Sequence, residues 1–192
     1  MTRPQQHVAI WVAAALLLVG VPLVLPTDVV FVLVGVAWGL AIISFVARGR
    51  YGRARSLLSQ KKYEAAFDEL LAFEQQVTRA AWRRHLAFLY AGFRTSDAVA
   101  LARGYQGVVR LEQGRLAEAE LLLKSALERD PDYSVPWANR AIVAATLGDE
   151  ARARSHVETA KSLGFTDPGL DVAVARALQT FRAAAAPKGT TP

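Results

Sequence analysis

The sequence predicts an all-α chain, an N-terminal transmembrane helical hairpin followed by a short α-solenoid. Three observations carry this. Two uncharged apolar stretches, Val8 to Leu25 and Val29 to Ala47, fill most of residues 1–47. From Arg53 onward apolar residues recur at spacings of three and four, the signature of amphipathic helices. Small and apolar positions also recur thirty-four residues apart: Gly107, Gly114, Ala119, Leu123 and Ala126 are matched by Ala141, Gly148, Ala153, Val157 and Ala160.

A repeated helical hairpin needs small residues where its two helices touch, a turn residue between them, and an apolar residue facing the next hairpin. Both runs supply these in the same order, and with them the chain resembles the tetratricopeptide repeat. In the first copy the family's positions look like Gly107, Gly114, Ala119, Leu123 and Ala126, closed by Asp130 and Pro131. In the second copy Trp137 stands at the early aromatic position, followed by Ala141, Gly148 with Asp149, Ala153 and Ala160. The departures are Arg103 at that aromatic position, Arg110 for the usual Tyr, Leu116 for the second aromatic, and a late Pro168. The resemblance implies a tetratricopeptide-like stack with clear repeats at about 100–133 and 134–167, a bacterial-type membrane-anchored member of the family.

Taken in order, Val8 to Leu25 is eighteen residues without a charge and Val29 to Ala47 is nineteen more. At about 1.5 Å per residue each reaches roughly the hydrocarbon thickness of a bilayer, so both are candidates to span it. Only Pro26, Thr27 and Asp28 separate them, which makes 1–47 a tight hairpin. The rival is a secretory signal peptide, supported by the N-terminal position and by Arg3. The long apolar run, the missing small-x-small cleavage site and the second span favour the hairpin. Basic flanks stay cytoplasmic, so Arg48, Arg50, Arg53 and Arg55 place both termini in the cytoplasm of a multi-pass protein of the plasma or inner cell membrane. Gly35 and Gly39 form a G-x-x-x-G that lets helix backbones approach closely, either between chains or against Ala13 to Ala15 of the first span. Packing within the hairpin is favoured because that partner is already tethered.

The net charge of +6 is unevenly placed. Residues 48–62, read as a basic juxtamembrane segment, hold six basic residues and no acid, whereas Tyr63 to Pro192 holds sixteen of each sign. Arg48, Arg50, Arg53 and Arg55 could therefore bind anionic lipid headgroups at about 1 kcal/mol each, or serve only as the topology signal. Zero Cys excludes a disulfide framework, thiolate zinc sites and thiol catalysis.

Residues 63–185 read as the helical repeat domain. Ala54, Leu57 and Leu58 give a first short helix, and Tyr63, Ala66, Leu70 and Phe73 a second. The turn between them, Ser59 to Lys62, lacks the expected Gly, so this copy is degenerate. Its frame precedes the first clear copy by fifty-three residues, which leaves room for an extra helix from Arg79 to Ala91. That helix carries Arg79, Arg83, Arg84 and His85 with Trp82, Phe88 and Tyr90. Arginine with aromatics can grip nucleic acid, but a solvated basic face over an aromatic core face is the favoured reading. Thr95, Ser96 and Asp97 can cap a helix over Ala98 to Gln113, and Leu116, Ala119, Leu122, Leu123, Ala126 and Leu127 form the apolar stripe of its partner. Glu120 and Lys124 form an i,i+4 pair. Ser134 is read as the next cap, Gly148 as the break, and Gly164 as the left-handed end of Glu150 to Leu163. Asp167 and Pro168 then open a capping helix over 168–185, with Leu170, Val174, Leu178 and Phe181 on one face, before a disordered tail at 186–192.

No enzyme signature stands out. His7, His85 and His156 lie at no metal-ligand spacing, and neighbours Ser155 and His156 point about 100° apart on a helix, as an exposed pair. The expectation is no catalytic residue, no metal and no cofactor. What remains is surface: in the family the first helix of each pair lines a concave groove. The corresponding partner-binding residues are Tyr105, Val108 and Glu112, then Asn139, Ile142 and Thr146, two trios thirty-four residues apart. The alternative is that Tyr105, Val108 and Ile142 pack against neighbouring helices. The expected function is a membrane-anchored scaffold or adaptor that holds a protein partner at the cytoplasmic face. The alternative is a structural accessory subunit of a membrane complex, assembled through the hairpin. Lipid contact through the spans and basic flank is implied, nucleic acid is disfavoured, and the oligomeric state is left open.

Overall fold

A computed structural model of the chain describes Val29, Gly35, Trp38, residues 49–79, Thr95 and residues 97–185. Every regular element among them is helical. We number the elements α1 (49–59), α2 (Tyr63–Arg79), α3 (Ala98–Glu112), α4 (Leu116–Arg129), α5 (Ser134–Thr146), α6 (Glu150–Ser162) and α7 (Gly169–Ala185). The resulting fold is all-α. Three helical hairpins, α1 with α2, α3 with α4 and α5 with α6, are followed by α7.

No helix among the described residues is long and apolar enough to cross a membrane. This corrects the expected N-terminal transmembrane hairpin and the expected multi-pass membrane location with cytoplasmic termini. A span needs about 20 consecutive apolar residues in one helix, whereas α2 and α7 run to 17 residues each and carry Glu64, Asp68 and Glu69, or Asp171, Arg176 and Arg182. The apolar stretches behind the expectation lie outside the described residues, apart from Val29, Gly35 and Trp38, which are helical and exposed. Gly35 has nothing within 4 Å of the place a Cβ would occupy. Gly39, Arg48, the extra helix beyond Arg79 and the tail at 186–192 also fall outside the described residues.

Each hairpin turn is built the same way. Lys62 N–H donates to Leu57 O and Lys61 N–H to Leu58 O, both at 2.9 Å. The same two bonds join Arg115 to Arg110 and Gly114 to Leu111, then Asp149 to Ala144 and Gly148 to Ala145, then Phe165 to Ala160 and Gly164 to Lys161. This double closure satisfies the last carbonyls of a helix and requires one left-handed residue. That residue is Lys61 (φ 59°), Gly114 (72°), Gly148 (80°) or Gly164 (87°). The first hairpin therefore makes the repeat's turn without the glycine, at a cost of about 1 kcal/mol for a side chain in that region.

The helices meet where the sequence is small. Gly107 of α3 faces α4 so closely that an added Cβ would stand 2.7 Å from Leu123 Cγ. Ala119, Leu123, Ala126 and Leu127 are the buried stripe of α4. On α2 the buried residues Ala66, Leu70, Phe73 and Val77 recur at four, three and four, and they join Tyr51 and Ala54 of α1 and Val99, Leu101 and Val109 of α3 in one core cluster. A second cluster gathers Ala141, Ala144, Ala145, Ala153, Val157, Leu170 and Val174, so α7 covers the α5 and α6 hairpin. Burying each large apolar side chain contributes about 1.5–3 kcal/mol.

The helix starts are mostly where capping chemistry puts them. Asp97 Oδ1 accepts from Val99 N at 2.7 Å and Ala100 N at 2.9 Å, and Asp167 Oδ1 accepts from Gly169 N at 2.8 Å. Asp97 also pairs with Arg129 at 2.7 Å. Burial raises its pKa, but the Arg129 hydrogen bond and the two backbone bonds outweigh that and hold it below the usual carboxylate range. Two local expectations fail. Tyr133, not Ser134, is the residue before α5 and it gives no side-chain cap. Glu120 pairs with Arg140 of α5 at 2.5 Å rather than with Lys124, which trades a weak local pair for a link between repeats.

Candidate functional site

Links of that kind run from each first-position helix to the second helix of the hairpin before it. Arg103 Nε and Gln106 Nε2 both donate to Glu74 of α2, at 2.8 and 2.9 Å, and Arg140 does the same to Glu120 of α4. They tie α3 to α2 and α5 to α4, so each hairpin is joined to the one before it.

On the open side of α3 lies a cleft of about 400 Å³. One wall comes from Arg55, Leu58 and Ser59 of α1 with Lys61 and Tyr63 beyond it; the other is Tyr105, Val108 and Glu112. The spacing of three and four thus brings the first predicted trio together on one face. Tyr105 and Val108 are half-buried and Glu112 is exposed. Tyr105 also stands edge-on to Tyr51, with ring centroids 5.3 Å apart.

The second trio does not line this cleft. Asn139 Nδ2 donates to Val135 O within α5 at 2.8 Å, and Thr146 Oγ1 donates to Ile142 O at 2.8 Å. Ile142 packs against the second core cluster beside Trp137, Phe165 and Leu178. The difference is one of neighbours: α1 leaves a gap beside α3, whereas α7 lies against α5.

The basic residues of 48–62 are placed unevenly. Arg50 Nη1 and Arg53 Nε share Glu69 of α2, each at 3.4 Å. Arg55 has its guanidinium 5.9 Å from the centre of the Tyr51 ring and opens onto the cleft. Residues 49–59 of it are helical and pack with α2 through Tyr51 and Ala54.

Sequence reasoning missed two side chains. Arg110 is buried among the helices, its guanidinium 3.7 Å from the centre of the Phe67 ring of α2. It donates to Gln113 Oε1 at 2.7 Å and pairs with Glu64 and Glu118, each at 3.3 Å. The Gln113 hydrogen bond and then the Arg110 one pull the Glu64 carboxyl below its ordinary value.

The other is His156, expected to be exposed and instead buried, 5.2 Å from the Trp137 ring. Its Nε2 has no hydrogen-bond partner among the described residues. Burial first, then the Arg140 charge, lowers its pKa. The fold thus resists protonating a group that the unfolded chain protonates near pH 6.5. Stability is complete above that value and is lost as pH falls from it toward the lower folded pKa. We expect the urea midpoint to drop between pH 7 and pH 5, and His156→Leu to flatten that drop; parallel profiles for the two proteins would contradict the assignment.

Among the described residues no group of His, Asp or Glu could hold a metal ion. A family model described as tetratricopeptide repeat matches residues 110–170. These residues carry a tetratricopeptide repeat. The match runs from the end of α3 through α6 to the start of α7, so it includes three of the left-handed turns, at Gly114, Gly148 and Gly164, and the Arg140 to Glu120 link. No curated protein and no solved structure matches the chain. Repeats of this family are generally non-enzymatic scaffolds that engage proteins, and the repeat here points to a protein partner.

Proposed function

We propose that the chain is an adaptor that seats a segment of a partner protein against the open face of α3, with Tyr105, Val108 and Glu112 as the contacts. The observation that carries this reading is the cleft between 55–63 and 105–112, lined by Leu58, Tyr63, Tyr105 and Val108 with Arg55, Lys61 and Glu112 among them. Binding surfaces of this kind need a desolvated apolar centre and a polar rim. The balanced charge of residues 63–192 supports a protein rather than a nucleic acid, since a polyanion calls for a broad basic face.

A photo-crosslinking residue at position 108 should trap one discrete protein in cells expressing the chain. The same residue at position 121 serves as the control, because Leu121 stands 69% exposed on α4, away from the cleft. Adducts from 121 and none from 108 would refute the groove.

A further inference from the structure

We propose that the outer face of α7, with the cleft between α6 and α7, docks on the same face of a second copy of this chain, the two α7 helices running antiparallel about a two-fold axis at Ala175. The helix is 17 residues long, yet only Leu170 and Val174 of it are buried, against ten residues of the 15-residue α3. Its inner side rests on the second core cluster, and Phe181 lies over the turn at Gly148, where an added Cβ would meet the ring. Among the described residues α3 and α5 each have a second helix packed on them, and α7 has none. In that place a cleft of about 180 Å³ opens between α6 and α7, with Arg154 and Val157 on one wall and Asp171, Ala175 and Leu178 on the other. Val172, one residue from the cleft, is 59% exposed.

The charges select the occupant. Toward the C-terminal end of α7, Arg154 and Arg182 share the one carboxylate of Glu150, at 2.8 and 2.5 Å, so two cations against one anion leave a positive excess. Toward its N-terminal end the exposed Asp167 and Asp171 stand with one cation, Lys161, which pairs with Asp171 at 2.7 Å, and the excess is negative. A partner of one charge sign is attracted at one end of such a face and repelled at the other. The face complements itself when turned end for end, which a two-fold axis does, making every contact twice. With the axis at Ala175, helix register sets Asp171 of each copy beside Arg154 of the other, and Asp167 beside Arg182. Val172 and Leu178, three residues to either side of the axis, meet each other, and the small Ala175 lets the two helices approach closely.

The test is sedimentation equilibrium of the full chain and of two charge reversals, Asp171→Arg and Arg154→Glu. Each variant alone should dimerise at least about tenfold more weakly than the parent, because like charges then meet at both symmetry-related contacts. An equimolar mixture of the two should regain the parental affinity, since each reversed charge faces an opposite one in the mixed pair. Both side chains are exposed, so the variants should melt with the parent at concentrations where all are monomeric. The chain has no cysteine, and a single one therefore reports the axis independently. Ala175→Cys should form a covalent dimer on mild oxidation, and Leu121→Cys on α4 should not. A parent chain that stays monomeric at about 100 µM would overturn the proposal. So would dimers indifferent to both reversals, a mixture that binds no better than the separate variants, or Ala175→Cys chains that join an unlike protein and not each other.

Discussion

Replacing Gly107 by Leu should unfold much of the repeat, with an expected loss of more than about 3 kcal/mol in urea denaturation. The missing Cβ is what lets α3 and α4 touch: an added one would stand 2.7 Å from Leu123 Cγ and 2.8 Å from its Cδ2, in a contact where Leu123 is fully buried. A leucine cannot find room there without separating the helices. Total stabilities of small domains are about 5–15 kcal/mol, so the loss is a large share. Gly107→Ala should cost less than the leucine, because only one methyl meets Leu123 and the roughly 1 kcal/mol that alanine gains over glycine in a helix partly offsets that clash. An unchanged midpoint for Gly107→Leu would mean that the two helices do not meet at this point.

Arg110→Ala should cost about 2–3 kcal/mol, as much as losing a good core side chain, even though the residue is charged. Its guanidinium covers Phe67 and pairs with Glu64, which ties the first hairpin to the second, while Gln113 and Glu118 hold it within its own hairpin. Both carboxylates are well exposed, so water screens the ion pairs and most of the effect belongs to the stacked, dehydrated stem. Arg110→Met keeps the stem and should recover roughly half of the loss. If Glu64→Gln were as damaging as Arg110→Ala, the ion pair and not the stack would be the source.

These two positions show what the sequence can and cannot say. Gly107 was legible because a small residue recurred in step with Ala141, and because repeats reuse one helix contact. Gly114, Gly148 and Gly164 were legible for a related reason, since the closing turn asks for a left-handed residue and glycine adopts it without strain. Lys61 hid the same turn, because its backbone bonds leave no trace in composition. Arg110 read only as a departure from the repeat pattern, since its partner Phe67 comes from another hairpin and no local spacing predicts that pairing. His156 misled for the same reason: helix geometry with Ser155 was correct, but burial depends on Trp137, nineteen positions away.

The apolar N-terminal stretches were the strongest single signal in the chain and gave the expectation that had to be withdrawn. Hydropathy alone measures how a segment partitions and does not establish a continuous spanning helix, and none is present among the described residues. The candidate groove was half legible. The three-and-four spacing put Tyr105, Val108 and Glu112 on one face, but Arg55, Leu58, Ser59, Lys61 and Tyr63 enter it through tertiary contact. Whether a trio stays open depends on its neighbour, α1 beside α3 or α7 against α5, which a thirty-four-residue period does not encode.

The central claim is that the face of α3 bearing Val108 holds the partner. The most direct measurement is the affinity of the purified crosslinked partner for the chain and for Val108→Asp, by titration calorimetry at one salt concentration. A carboxylate at position 108 must lose water without a compensating bond when the partner docks. The account predicts at least about a tenfold weaker complex, some 1.4 kcal/mol, with the melting temperature of the free chain unchanged. Equal affinities for the two proteins would contradict it.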